Sequence, residues 1–230
     1  MLARGHPGVR GPGGRAQRAP GLAVVAALGL GVLAVGCLAG CSTSATYVTS
    51  TAQQMYFKLP SSWKIYKEAT LTKLGLLGDS PPPFFVLATA ESQARAVKAF
   101  NDAFTPTASP WAVAEVRPLD SQEQEQLSLG SLSDVIVPVD TISSEGGSVQ
   151  ALLQPQLLVF GALHGTRVAY SVQDQRSGAY IDFEQAAVVN SPTDKLWVIA
   201  AGCSDTCFET HKPVINRIME SWTVRDKGTS

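Results

Sequence analysis

The sequence has no excess of either charge: 18 Lys and Arg stand against 19 Asp and Glu in 230 residues, a net charge of −1. A nucleic-acid surface, which needs clustered Lys and Arg, is therefore not expected. Charged residues are few, 16% against 45% apolar ones, which excludes a disordered polyelectrolyte. Histidine is scarcer still, with three in the chain, and cysteine numbers four. There is no H-E-x-x-H, no P-loop and no dinucleotide fingerprint. The acids do not follow the spacing of an EF-hand loop, so no metal ligand and no cofactor is expected. Ser61-Ser62-Trp63-Lys64 fits the S-x-x-K pattern of acyl-transfer enzymes, but that chemistry needs both side chains on one helical face. Here the pair straddles a turn entering a strand, where an offset of three points side chains to opposite faces.

The widest gap in charge comes early. Residues 1–20 hold Arg4, Arg10, Arg15 and Arg18 and no acid, and residues 21–57 hold no charged side chain at all. Within that gap, residues 22–38 are, apart from Cys37, a run of Leu, Val, Ala and Gly, giving the basic start and apolar core of a secretory signal. The run ends in Leu38-Ala39-Gly40-Cys41. This resembles the lipobox of bacterial lipoproteins, whose signal peptide is cut before a cysteine that becomes lipid-modified. Ala34-Val35-Gly36-Cys37 fits less well because it lacks the leucine. The division expected is a signal peptide over 1–40, a Ser/Thr-rich flexible tether over 41–54 and a domain over 55–225. A tail follows over 226–230. The alternative is an uncleaved transmembrane anchor, since about 20 uncharged residues just span a bilayer. Both readings place the Arg-rich end inside and the rest outside, at the outer face of the cytoplasmic membrane. Cleavage removes four arginines and no acid, so the mature chain carries −5.

With Cys37 in the leader and Cys41 at the anchor, Cys203 and Cys207 remain. Outside the membrane they are expected to form a disulfide. Side chains four apart in a regular helix stand ~5–6 Å apart at Cβ, too far for an S–S bond. Cys203 should therefore end a strand and Cys207 begin the next helix.

Along the mature chain, strands are expected near 56–59, 63–67, 84–90, 111–119 and 134–142, the last at an edge because of Pro138. Helices are expected over 92–104, with Ala94, Val97, Phe100 and Phe104 on one side, and after a capping box of Ser121 and Gln124. A hairpin joins 156–162 to 166–173 through Leu163-His164-Gly165. Residues 180–189 and 196–201 are strands about a turn at 190–194. The last helix presents Phe208, His211, Ile215, Ile218 and Trp222. It starts either at a Thr206/Glu209 capping box or at Thr210, which would put Pro213 in the tolerant first turn. Tight hairpins and three amphipathic helices make an α+β domain, a central antiparallel sheet covered by helices.

Two marks carry a family resemblance: Phe57-Lys58-Leu59-Pro60 with Trp63, and Leu196-Trp197-Val198-Ile199 followed by Pro213-Val214-Ile215 and Ile218-Met219-Glu220-Ser221-Trp222-Thr223-Val224. Together they resemble the PsbP-like α+β fold and, within it, the LpqN-type lipoproteins of actinobacteria, over residues 55–225. The resemblance implies a non-catalytic, envelope-tethered role: binding an envelope protein or lipid, or supporting a membrane complex. It supplies no catalytic residue.

Three functions compete. The first is a lipid-anchored binding or accessory module. The second is a membrane-tethered hydrolase using a serine with His164 or His211, and the third is a structural part of an envelope assembly. Trp63, Tyr66, Trp111, Trp197 and Trp222 are core candidates. Trp63, Tyr66, Trp197 and Trp222 are also candidates to line an apolar ligand cleft. Residues 115–145 hold seven acids (Glu115, Asp120, Glu123, Glu125, Asp134, Asp140, Glu145) and one base, Arg117. That segment reads as a solvated face or as a dock for a basic partner.

Overall fold

A computed structural model describes residues 44–78, 80–101 and 106–225. The leader 1–40, Cys41, the tail 226–230 and Phe104 lie outside the described residues.

In chain order the elements are β1 (Ala45–Ser50), β2 (Met55–Pro60), β3 (Lys64–Lys67), α1 (Glu68–Lys73), β4 (Phe84–Thr89), α2 (Gln93–Asn101) and β5 (Trp111–Pro118). Then come α3 (Ser121–Gln126), α4 (Leu129–Ser133), α5 (Val139–Ser144), β6 (Val149–Phe160), β7 (Leu163–Gln173), β8 (Tyr180–Val189), β9 (Lys195–Ser204), α6 (Asp205–Ser221) and β10 (Thr223–Val224). Seven strands form one antiparallel sheet in the order β3-β4-β5-β9-β8-β7-β6, and β1-β2-β10 form a second, smaller one. The domain is therefore α+β, as expected from the hairpin signals.

The two faces of the large sheet are covered differently. Val86, Ala114, Ala186, Trp197 and Ile199 point to the first face, where α6 and the small sheet bring Phe208, Ile215, Ile218, Phe57 and Leu59. Their neighbours Phe85, Val113, Phe183 and Ala200 point to the second face, against Leu71 of α1, Ala96 of α2 and Val139 of α5. Further along that face, Ala187, Val189, Leu196 and Val198 meet Leu119 and Leu132. The period of two in each strand sorts one sequence into these two cores.

Helix α6 starts at Asp205, so Pro213 lies inside it. Proline removes one helical N–H, but Pro213 and Glu209, whose carbonyl loses that donor, are both exposed to water. The expected Thr206/Glu209 box does not start the helix; Ser204 stands at the N-cap without a side-chain capping bond.

Other expectations are corrected. The tether 41–54 contains β1, which pairs along its whole length with β2; Val48 is its buried contact. Residues 134–142 do not form a strand. Pro138 offers no N–H to a ladder, Gln185 takes the Ile136 N–H at 3.0 Å, and Val139 starts α5. The capping box before α3 belongs to Asp120 and Glu123, one residue before Ser121. Helix α1 was not anticipated, and β6 begins seven residues before 156. The tip of the β6–β7 hairpin is Gly161-Ala162. Gly161 has φ +63°, the conformation a two-residue II′ loop asks of its first residue. His164 is thereby moved from the tip into β7, opposite Val159.

Candidate functional site

The structure joins Cys203, near the end of β9, to Cys207 in the first turn of α6, with Cα atoms 5.8 Å apart. The bridge ties the central strand to the helix that covers it.

The four proposed cleft residues are not brought together. Trp63, Trp197 and Trp222 are buried in the first-face core, while Tyr66 is buried in the core of the second face. The sheet runs between them. Trp197 donates its indole N–H to the Gln53 carbonyl at 2.8 Å, holding the β1–β2 turn. Trp222 meets Phe160 edge to face at 6.4 Å. These rings are core, and the expectation of an aromatic cleft is corrected.

A hollow of about 160 Å³ lies elsewhere, on the second face, at the end of the sheet where β7 and β9 begin. It is lined by Gln124, Leu127, Ser128, Leu129, Leu132, His164 and Thr193. Three stretches of chain converge there. Helix α3 and the start of α4 form one wall, capped by Asp120 and by Ser128. Strand β7 supplies His164. The 190–194 turn supplies Thr193, held at φ +56°, which is strained for a β-branched residue. Asn190 fastens that turn by accepting the N–H groups of Asp194 and Lys195 at 3.2 and 3.1 Å.

Gln185, fully buried on β8, anchors the wall from below. Its amide donates to the Leu132 carbonyl at 2.9 Å, and its oxygen accepts the Ile136 N–H at 3.0 Å. One side chain thus satisfies two backbone groups of the segment that turns away from the sheet.

His164 and Ser128 share the hollow, the pairing a hydrolase would need. The Ser128 hydroxyl is engaged in its own helix cap, accepting Ser131 N–H at 3.0 Å and lying 3.3 Å from Ser131 Oγ. His211 sits on α6, on the opposite side of the sheet, half-buried.

The hollow opens onto an exposed apolar ledge. Leu157 and Val159 of β6 are 65% and 63% exposed, and Leu129 on the hollow's own rim is 50% exposed. Val159 pairs with His164, so hollow and ledge are continuous. Acids flank them. Glu123 is salt-bridged to Arg117 at 2.6 Å, while Glu125 is exposed. Beyond α4, Asp134 accepts the N–H groups of Val139 and Asp140 and shares a hydrogen bond with the Asp140 carboxyl. Burial and then the Asp140 charge push the Asp134 carboxyl up to about 6. Burial also raises the Glu115 carboxyl, with Arg117 acting against it. Composition indicated the acidic segment; nothing in it indicated the hollow, whose lining comes from three separate stretches.

No helix among the described residues is long and apolar enough to cross a membrane. No known sequence family and no curated protein matches the chain. Several solved structures do. LpqN of Mycobacterium tuberculosis, involved in cell envelope biogenesis, is 15% identical, with 80% of this chain and 91% of that one covered at a TM-score of 0.44. Cyanobacterial PsbP of Synechocystis is 12% identical, with coverage of 83% and 99% and a TM-score of 0.46. The Ran-binding protein Mog1p of Saccharomyces cerevisiae is 10% identical, with coverage of 80% and 97% and a TM-score of 0.44. The chain is thus similar to both the PsbP-like and the LpqN structures that its sequence marks resemble.

Proposed function

We propose that the protein is an exported lipoprotein, anchored through Cys41 at the outer face of the cytoplasmic membrane. There it serves as a non-catalytic binding or accessory module for another envelope component. One observation supports the reading: the end of the domain where β1 starts, four residues after Cys41 in sequence, and the end bearing the hollow are opposite ends. Strand β1 starts at Ala45, where Ser44 is hydrogen-bonded to Ser61 and Ala45 pairs with Pro60. Pro60 also accepts the Trp63 N–H at 3.0 Å, leading into Lys64, which shares a row of the sheet with Thr89, Trp111 and Gly202. The hollow lies beyond the other end of β9, and ten residues of strand span ~30 Å. From Cys41 to Ala45 the chain can reach at most ~14 Å, at 3.3–3.6 Å per residue. A lipid on Cys41 would hold the domain close to the bilayer with the hollow facing outward.

Metabolic labelling with a radioactive fatty acid tests the anchor. Wild-type protein should be labelled and sediment with membranes, and Cys41→Ser should be unlabelled. A Cys41→Ser protein that still takes up label would refute anchoring at this residue.

A further inference from the structure

One stretch of the chain, which supplies most of the hollow's lining, has a chemical bias sharper than the whole chain's. Residues 118–166 contain six acids and no Lys or Arg: Asp120, Glu123 and Glu125 lie at α3 beside the hollow, Asp134 follows α4, and Asp140 and Glu145 lie at α5, ahead of the start of β6 at the other end of the sheet. Within that stretch, residues 146–166 carry no charge other than any on His164, and they include all of β6. Strand β6 is the sheet's outer strand, hydrogen-bonded to β7 alone among the described strands. It exposes Leu152, Leu157, Val159 and Phe160. An apolar ledge next to a hollow, bordered by a net-negative margin in which Asp120, Glu123 and Glu125 outnumber Arg117, is the surface pattern of an interaction site.

We propose that the hollow and the Leu129–Leu157–Val159 ledge form a docking surface for a cationic amphipathic segment of a partner protein. Its apolar face would cover the ledge and its Lys or Arg side chains would meet the acids on α3. The inference rests on the proposed role as a binding module and names the partner's chemistry. Charge decides between occupants. A second copy docking by the same surface would set its own acids against these, since a two-fold contact places one patch on itself. An anionic bilayer would be repelled in the same way. A segment with basic side chains gains attraction on approach as well as apolar burial on contact. Pro155 and the register shifts between Ala151 and Gln156 interrupt the free edge of β6, so the ledge is suited to side-chain packing rather than to a continuous added strand.

The test uses the full chain in nanodiscs of neutral lipid and three fluorescent 18-residue peptides. One is a Leu/Lys amphipathic helix, one replaces Lys by Glu, and one replaces Leu by Gly. Wild-type protein should bind the Leu/Lys peptide at least tenfold more tightly than either other. The pair Leu157→Ser with Val159→Ser should weaken that binding at least tenfold. Glu125→Lys should weaken it at least threefold and flatten its salt dependence. Tyr47→Ser, exposed on β1 of the small sheet, should leave it unchanged. Equal binding of all three peptides, or binding indifferent to the ledge variants, would overturn the proposal. A dimer that the ledge variants dissolve would assign the surface to a second copy instead and overturn it too. The fatty-acid label reads the anchor separately. A Cys41→Ser chain that keeps the peptide preference leaves the dock standing without the anchor, and a labelled chain without the preference loses only the dock.

Discussion

Strands β6 and β9 look alike in composition and end up in opposite environments. Both are long, and neither carries a charge between its ends: residues 149–160 in one case, 196–204 in the other. Eight of the ten residues of β9 are buried, and none of the twelve of β6 is. The cause lies in their neighbours. β9 has β5 and β8 on its flanks, α6 beneath it, and Leu119 and Leu132 packed over its other face. β6 has β7 on one side, and its register shifts around Pro155 break its regularity. Apolar composition therefore marks two different things here, the centre of a core and the edge of an interface. Only position in the sheet separates them.

The sharpest way to break that comparison is to cut the same kind of side chain from each strand. Trp197→Ala on β9 should cost about 3–5 kcal/mol, the range for a large buried aromatic, and should also release the Gln53 carbonyl it holds. Leu157→Ala on β6 should stay within about 0.5 kcal/mol, as for exposed positions. Urea unfolding midpoints at unchanged slope give both values. A Leu157→Ala loss as large as that of Trp197→Ala would show β6 to be part of the core.

The middle of the sheet was legible from sequence because its cues agreed. The bounds of β8 follow from Ile181, Phe183, Ala187 and Val189 sharing one face between a Gly-Ala step and the 190–194 turn. The placement of Cys203 at a strand end and Cys207 in the next helix follows from side-chain spacing once the two are expected to be bridged. The margins were not legible. Ala45-Thr46-Tyr47-Val48-Thr49-Ser50 reads as a tether by its hydroxyl content, yet Tyr, Val and Thr suit a pleated surface, and β2 gives them one. The Val135-Val137-Val139 alternation imitates a strand, but a side chain 49 residues away, Gln185, ties up the Ile136 N–H. The hollow was invisible because Gln124, His164 and Thr193 meet only after the sheet has formed.

Gln185 offers a middle-sized test, since it links a central strand to the wall of the hollow. Gln185→Leu keeps the volume and removes both hydrogen bonds, leaving the Ile136 N–H and the Leu132 carbonyl without that partner. The expected loss is about 1–3 kcal/mol. Amide exchange should quicken at residues 132–136 while protection in β9 stays high. Uniform loss of protection across both would mean that the wall and the central strand open as one unit, and the contrast between margin and centre would be weaker than the burial pattern implies.

The smallest effect belongs to the acid pair on the β6 side of the molecule. The Asp134 carboxyl, pushed up to about 6 by burial and by Asp140, faces Asp140, the N–H groups of Val139 and Asp140, and Tyr170. A carboxyl raised in the folded state binds its proton more tightly there than in the unfolded chain. Its contribution to stability is therefore fully present below the ordinary value near 4 and is lost as pH rises through about 6. Glu115, Asp182 and Glu184 are raised as well and act with the same sign, so the wild-type pH profile alone does not isolate Asp134. Asp134→Asn isolates it, because the amide oxygen still accepts the N–H groups while the charge facing Asp140 is gone. The variant should match wild type in Tm at pH 4 and exceed it by about 2 °C at pH 7.5, the shift expected for a fraction of a kilocalorie to one in a domain of this size. A constant offset between the two profiles would mean that the pair does not titrate against itself. The α3–α5 margin would then carry its negative charge unchanged across this pH range.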